Sequence, residues 1–265
     1  MVGPFALNVL RVGLSLFLFW TVWIFGKTSA RIDKKDIGRF VLCGLTGIAI
    51  NQMLFIKGLT MTSTSHASLL MLVTPIVVTL FAIWVLKEKF TTYKGIGLFL
   101  GVGGAVFLIL QKESGPNAPH YLLGDLLILI NAISYAMYFI LVKPLMQKYS
   151  PLHVIRWIFT FGFVMTLPIG ITETIAINWN AFSTVQLFCL GAVVITGTFL
   201  AYYFNGFGLQ HLGAGITGTY IYTQPVFAVL IAIFILGESM SWQKILAACL
   251  IFSGVYLVGF RKNKE

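Results

Sequence analysis

Residues 74–97 read TPIVVTLFAIWVLKEKFTTYKGIG, and residues 224–247 read QPVFAVLIAIFILGESMSWQKILA. A shift of 150 positions superposes the two without a gap: Pro75 falls on Pro225, Leu86 on Leu236, Glu88 on Glu238 and Lys94 on Lys244. The register extends outward, with Gly47 on Gly197, Gly58 and Leu59 on Gly208 and Leu209, and Gly104 on Gly254. Any two apolar helices share some apolar letters by chance. Sharing Pro, Glu, Lys and Gly in one register marks an internal repeat. Further upstream the register slips by five residues: NVLRVGLSLFLFW at 8–20 parallels HVIRWIFTFGFVM at 153–165, which pairs Arg11 with Arg156.

The repeated unit is apolar well beyond what a water-facing domain needs. Of the 265 residues 58% are hydrophobic and 10% charged, with a mean hydropathy of +0.92, so most of the surface meets lipid. Runs long enough for the roughly 20 residues of a membrane span recur near 5–26, 38–57, 64–86, 94–110, 122–142, 152–171, 185–208, 214–236 and 243–260. Backbone amides in lipid pair within a helix or a closed barrel. Barrel strands alternate over about ten residues, and LFLGVGGAVFLIL at 98–110 does not. The expected fold is an all-α integral membrane protein of nine transmembrane helices.

After Arg156 is matched to Arg11, the second half carries one further helix, GDLLILINAISYAMYFILVKPLMQKY at 124–149, with no counterpart before Pro4. The expectation is two five-helix repeats, 1–112 and 122–265, joined by a linker at 113–121, the first repeat lacking its first helix. A misassigned start codon, a truncated form and a true nine-helix variant all account for the gap, and the first is preferred. Because five is odd, the second repeat enters the membrane inverted, as in alternating-access transporters.

Charge supports that topology. The chain carries 18 Lys and Arg against 8 Asp and Glu. The basic clusters at 27–39, 87–94, 143–148 and 261–264 all fall on one side of a hairpin topology, which the positive-inside rule makes cytoplasmic. The basic excess therefore reports orientation, not nucleic-acid binding. The C-terminus is expected inside, and the protein multi-pass in the inner, cytoplasmic membrane of a bacterial cell. Cys43, Cys189 and Cys249 sit in apolar runs and are expected to be buried thiols.

The doubled Pro, Glu, Lys and Gly spacing within 58–110 and its second copy, together with the helix at 124–149, resembles the EamA-type branch of the drug/metabolite transporter superfamily. The resemblance covers nearly the whole chain. It implies a permease, often an exporter of amino acids or related metabolites, with a central cavity lined by both halves.

Polar groups at membrane depth are costly and are site candidates by default, weighed against a role as packing glue between helices. Position on a common face favours Asn131, Tyr135 and Tyr138, and likewise Thr217, Tyr220 and Gln224. The repeat register pairs Gln52 with Tyr202 and Phe55 with Asn205. Together these residues form a neutral, aromatic substrate pocket suited to a zwitterion or an amphipathic metabolite. Pro75 and Pro225 each remove a helical hydrogen bond and are candidate hinges. Arg11 and Arg156 are expected to snorkel to the headgroups. No carboxylate lies at mid-span, and His66 falls near a helix end. Gly97 and Gly101 have the spacing of a close helix contact.

No cofactor, metal site or enzymatic activity is expected. The partners are a small-molecule substrate and the lipid bilayer, with a homodimer left open. The alternatives are a nucleotide-sugar or sugar-phosphate carrier of the same superfamily, a channel, and an intramembrane enzyme. HExxH, a complete GxGD and a TVGYG-like filter are all missing from the sequence. Cysteine tags placed in 28–36, 89–93 and after 261 should be shielded from impermeant reagents in intact cells, whereas tags in 113–120 and 174–182 should react. Labelling of the first set overturns the topology.

Overall fold

The computed structural model describes residues 2–26, 31–85, 90–111, 120–211, 223–235, 237 and 241–259, and among these residues the chain forms twelve α-helices. They are α1 Pro4–Gly26, α2 Ile37–Gly44, α3 Asn51–Leu59, α4 Thr64–Met71, α5 Thr74–Val85, α6 Thr92–Leu110, α7 Tyr121–Lys148, α8 Pro151–Ile175, α9 Thr184–Val194, α10 Ala201–His211, α11 Thr223–Phe234 and α12 Trp242–Gly259. Several join end to end, so seven spans among the described residues are long and apolar enough to cross a membrane, and Trp242–Val258 is a shorter apolar helix. The expected span at 214–236 falls partly outside the described residues. The all-helical, multi-span class follows from the composition as expected.

Two joints are π-helical. Leu45–Ile50 links α2 to α3, and Ile195–Leu200 links α9 to α10. They lie 150 residues apart and coincide in the repeat register. In each, a threonine ahead of the glycine turns its hydroxyl back onto the helix: Thr46 donates to Leu42 O at 2.8 Å and Thr196 to Ala192 O at 2.7 Å. Such back-bonding bends helices, and single-turn π segments gather at functional sites.

The chain divides into two compact units, Met1–Ile56 with Leu141–Thr217, and Lys57–Ile140 with Gly218–Glu265. Each draws on both halves of the sequence. In the first unit α1 and α8 run antiparallel, with Gly170 against Phe5 and Val9 and Gly13 against Phe163. Glu173 on α8 closes the start of α1, its Oε2 accepting from Phe5 N at 2.9 Å and Ala6 N at 3.0 Å, which satisfies two of the amides left open at a helix N-terminus. At the other end Lys148 pairs with Asp33 and Asp36. Hydrogen bonds from Lys148 and Tyr149 hold the Asp36 carboxyl below the usual carboxylate range.

In the second unit α6 and α12 pack antiparallel through glycine. Gly97 lies against Gly254, and Gly104 against Ala247 and Ile251. Since 247 and 254 are the repeat equivalents of 97 and 104, the contact is reciprocal, as a two-fold relation demands. The cysteine expectation is corrected in part: Cys43 is buried, but Cys189 and Cys249 are exposed. An apolar neighbourhood in sequence does not reveal which face of a helix a residue occupies.

A Cβ on Gly254 would stand 2.5 Å from Gly101 N and 2.6 Å from Gly97 O, backbone atoms that have no room to yield, whereas one on Gly103 meets nothing within 4 Å. Gly254→Leu should therefore lower stability by about 1–3 kcal/mol, and Gly103→Ala should leave it level or slightly raised. Thermal unfolding in detergent checks both.

Candidate functional site

Where a helix departs from regular hydrogen bonding, carbonyls become available to other groups, and both π-helical joints use theirs within the first unit. The Tyr202 hydroxyl donates to Gly47 O at 3.2 Å, inside the first joint, and accepts from Gln52 Nε2 at 3.2 Å. Gln52 and Tyr202 are repeat equivalents, so these two predicted residues meet each other. Phe159 packs edge-on against the Tyr202 ring at 4.9 Å. Asn205 is half-buried on α10, close to one turn beyond Tyr202.

The second joint meets α1. Thr198 Oγ1 lies 3.0 Å from Arg11 Nε, which donates to it, and itself donates to Val193 O at 3.2 Å. Ser15 Oγ reaches Val194 O at 3.4 Å. Asn8, Arg11 and Ser15 stand at i, i+3 and i+7, one polar stripe of α1, with Asn8 and Ser15 at 0% exposure and Arg11 half-buried.

The snorkelling expectation is thereby corrected for both arginines. Arg11 turns to Thr198. Arg156 is 0% exposed, its guanidinium 4.6 Å from the Trp20 ring and 4.5 Å from the Trp23 ring, with Nη2 donating to His153 Nδ1 at 3.2 Å. Trp20 is held in turn by its indole N–H to Thr160 Oγ1 at 3.2 Å. Two indoles set edge-on to each other, with centroids 5.2 Å apart, supply a low-cost environment for a cation, which a helix-by-helix reading does not anticipate.

In the second unit α7 carries Asn131, Tyr135 and Tyr138. Asn131 and Tyr138 are buried, and Tyr135 stacks on Tyr138 with centroids 5.7 Å apart. Pro75 is the second residue of α5, immediately after a break at Leu72 and Val73, so the span is interrupted at the expected hinge instead of being bent through it. Pro225 likewise falls in the first turn of α11, where proline is tolerated. The side chains of Gln224 and Pro225 lie outside the described ones, as do Thr217 and Tyr220 entirely.

Sequence reading also missed a buried acid. Asp125 on α7 is fully buried, with Oδ1 accepting from Thr62 Oγ1 at 2.5 Å and Oδ2 lying 2.9 Å from His66 Nδ1 on α4, itself fully buried. Gly124 allows the approach: a Cβ there would stand 2.9 Å from Thr62 N and 3.0 Å from Gly58 O. His66 and Asp125 are 59 positions apart, and no periodicity links them.

A model of the EamA-like transporter family matches residues 1–110 and 122–260. An uncharacterized transporter of Bacillus subtilis, YetK, is 23% identical over 251 residues, covering 94% of this chain and 76% of its own. An uncharacterized transporter of Archaeoglobus fulgidus is 23% identical over 97% of this chain and 88% of its own length. A probable terminal-alkyne amino-acid exporter of Streptantibioticus cattleyicolor is 24% identical over 87% and 76%. A solved crystal structure, 18% identical, superposes with a TM-score of 0.64 over 97% of this chain and 87% of that one, a likeness of fold.

Removing one partner of a buried hydrogen-bonded pair strands the other, at about 1–3 kcal/mol. Asp125→Ala should cost about that much in detergent unfolding. A double-mutant cycle with His66→Ala should return a coupling above about 1 kcal/mol.

Proposed function

Because the chain belongs to the EamA-like transporter family, we propose that it is a secondary carrier that exports a small amphipathic metabolite, an amino acid or a relative of one, by alternating access. The observation that carries this reading is the pair of repeat-matched π-helical joints, with Gln52 and Tyr202 bonded across them. Transporters with inverted repeats bind substrate where helices lose regular structure. Gln52, Tyr202 and Asn205, with the Asn131, Tyr135 and Tyr138 stripe and with Thr217, Tyr220 and Gln224, are the proposed substrate contacts, and Pro75 and Pro225 the proposed hinges. These are neutral amides, hydroxyls and rings, which suit a compact zwitterion. The resemblance to a probable terminal-alkyne amino-acid exporter supports the same substrate class. We place the protein in the cytoplasmic membrane with its C-terminus inside, on the bias of its basic loops. Its work is transport, not covalent chemistry.

Proteoliposomes loaded with the twenty proteinogenic amino acids and propargylglycine test the reading by counterflow, each compound followed by mass spectrometry. Saturable, stereoselective exchange of at least one compound is expected. Tyr135→Ala, Tyr202→Ala and Gln224→Ala should each lower it about tenfold, the effect of one lost substrate hydrogen bond, at unchanged membrane abundance. Unsaturable conductance points to a channel, and full flux in all three variants places the site elsewhere.

A further inference from the structure

We infer that Arg11 is the carboxylate-binding residue of this carrier and that Gln52 offers its amide oxygen to a substrate ammonium. The inference rests on the amino-acid reading above and deepens it.

Arg11 is the eighth residue of α1, about 10 Å along the helix from its start. A cation at that depth is costly unless it has work to do. Among the described residues one of its five donors is bonded to protein, Nε to Thr198 Oγ1. The hydroxyl of Thr198 is itself fixed on Val193 O, so the guanidinium is held by its edge nitrogen. Its two terminal nitrogens form the fork that meets a carboxylate in a bidentate pair.

Two buried amides belong to the same unit: Gln52 on α3, bonded to Tyr202, and Asn8 on α1, the helix of Arg11. The single proton of the Tyr202 hydroxyl goes to Gly47 O, so this hydroxyl must accept from Gln52, which fixes the orientation of the Gln52 amide. Its Oε1 is then left buried, with no hydrogen-bond partner among the described residues, in a residue 4% exposed. A buried acceptor in that state calls for a donor, and an ammonium group supplies one. Asn8, one turn before Arg11 and 0% exposed, has neither its Nδ2 nor its Oδ1 paired among the described residues. It offers a further donor and acceptor on the same stripe. A charged fork, an unfilled acceptor and an unfilled amide match an α-amino acid, which carries a carboxylate and an ammonium on one carbon.

The same geometry argues against a phosphate ester. A dianion calls for a second cation beside Arg11. Arg156 is held against Trp20 and Trp23, and Trp20 stands nine residues along α1 from Arg11, about 13 Å.

The test compares each amino acid transported by the full-length protein in proteoliposomes with its own amide, which keeps the ammonium and the side chain but loses the carboxylate. Wild type should prefer the acid at least about tenfold. Arg11→Gln should abolish that preference by slowing the acid while sparing the amide, and Arg11→Lys should retain it in part. Thr198→Val should weaken the preference, since it frees the guanidinium from its anchor. The acid-to-amide ratio is internal to each preparation, so partial loss of folded protein does not mimic the effect. Equal flux of acid and amide by wild type, or an unchanged ratio in Arg11→Gln, overturns the assignment of Arg11 alone. Flux of neither form by wild type overturns the amino-acid reading as well. Faster counterflow of glucose 6-phosphate than of any amino acid overturns the carboxylate assignment in favour of phosphate.

Discussion

An amide or a charge left unpaired in hydrocarbon costs several kcal/mol, and the arrangement of this chain follows from avoiding that cost. Helices satisfy most of the backbone. Where regular helix is given up, at Leu45–Ile50 and Ile195–Leu200, side chains take over: Tyr202 donates to Gly47 O, and Thr46 and Thr196 bond back one turn. The open amides at the start of α1 go to Glu173. Lipid gives helices no hydrophobic reason to associate with one another, so contact depends on close approach. Glycine provides it, at Gly97 against Gly254 and at Gly58 against Gly124.

The internal repeat turns these local solutions into a symmetric plan. A sequence that occurs twice with opposite orientation can pack each copy against the other in the same way, so one favourable contact is obtained twice. The reciprocal pairing of Gly97 with Gly254 and of Gly104 with Ala247 is one instance, and the self-pairing of Gln52 with its equivalent Tyr202 is another. Symmetry is broken where the side chains differ. Arg11 and Arg156 are equivalents, yet one bonds a threonine of a π-helical joint and the other is enclosed by two indoles and a histidine. One position thus packs against aromatic rings, while its counterpart bonds a hydroxyl through Nε.

Fold class was legible in the sequence because it rests on properties that need no tertiary partner. Apolar run length decides whether a helix spans, and the 150-residue register of Pro, Gly, Glu and Lys is a fact of order alone. The same register implied that Gln52 and Tyr202 occupy equivalent places. The Thr46–Gly47 and Thr196–Gly197 dipeptides match in that register and fall in the π-helical joints, which periodicity arguments pass over.

What only the tertiary structure decided is the fate of each buried polar group, because that depends on what the neighbouring helix presents. Sequence places Arg156 near a helix end; packing buries it against Trp20 and Trp23 from α1. Sequence leaves Asp125 and His66 on separate helices; the glycine contact of Gly58 and Gly124 brings them within 2.9 Å. Helical periodicity specifies the face on which a residue stands. The partner across that face comes from a segment tens to hundreds of residues away, and low-dielectric pairing energies turn on separations of an ångström that no linear pattern encodes.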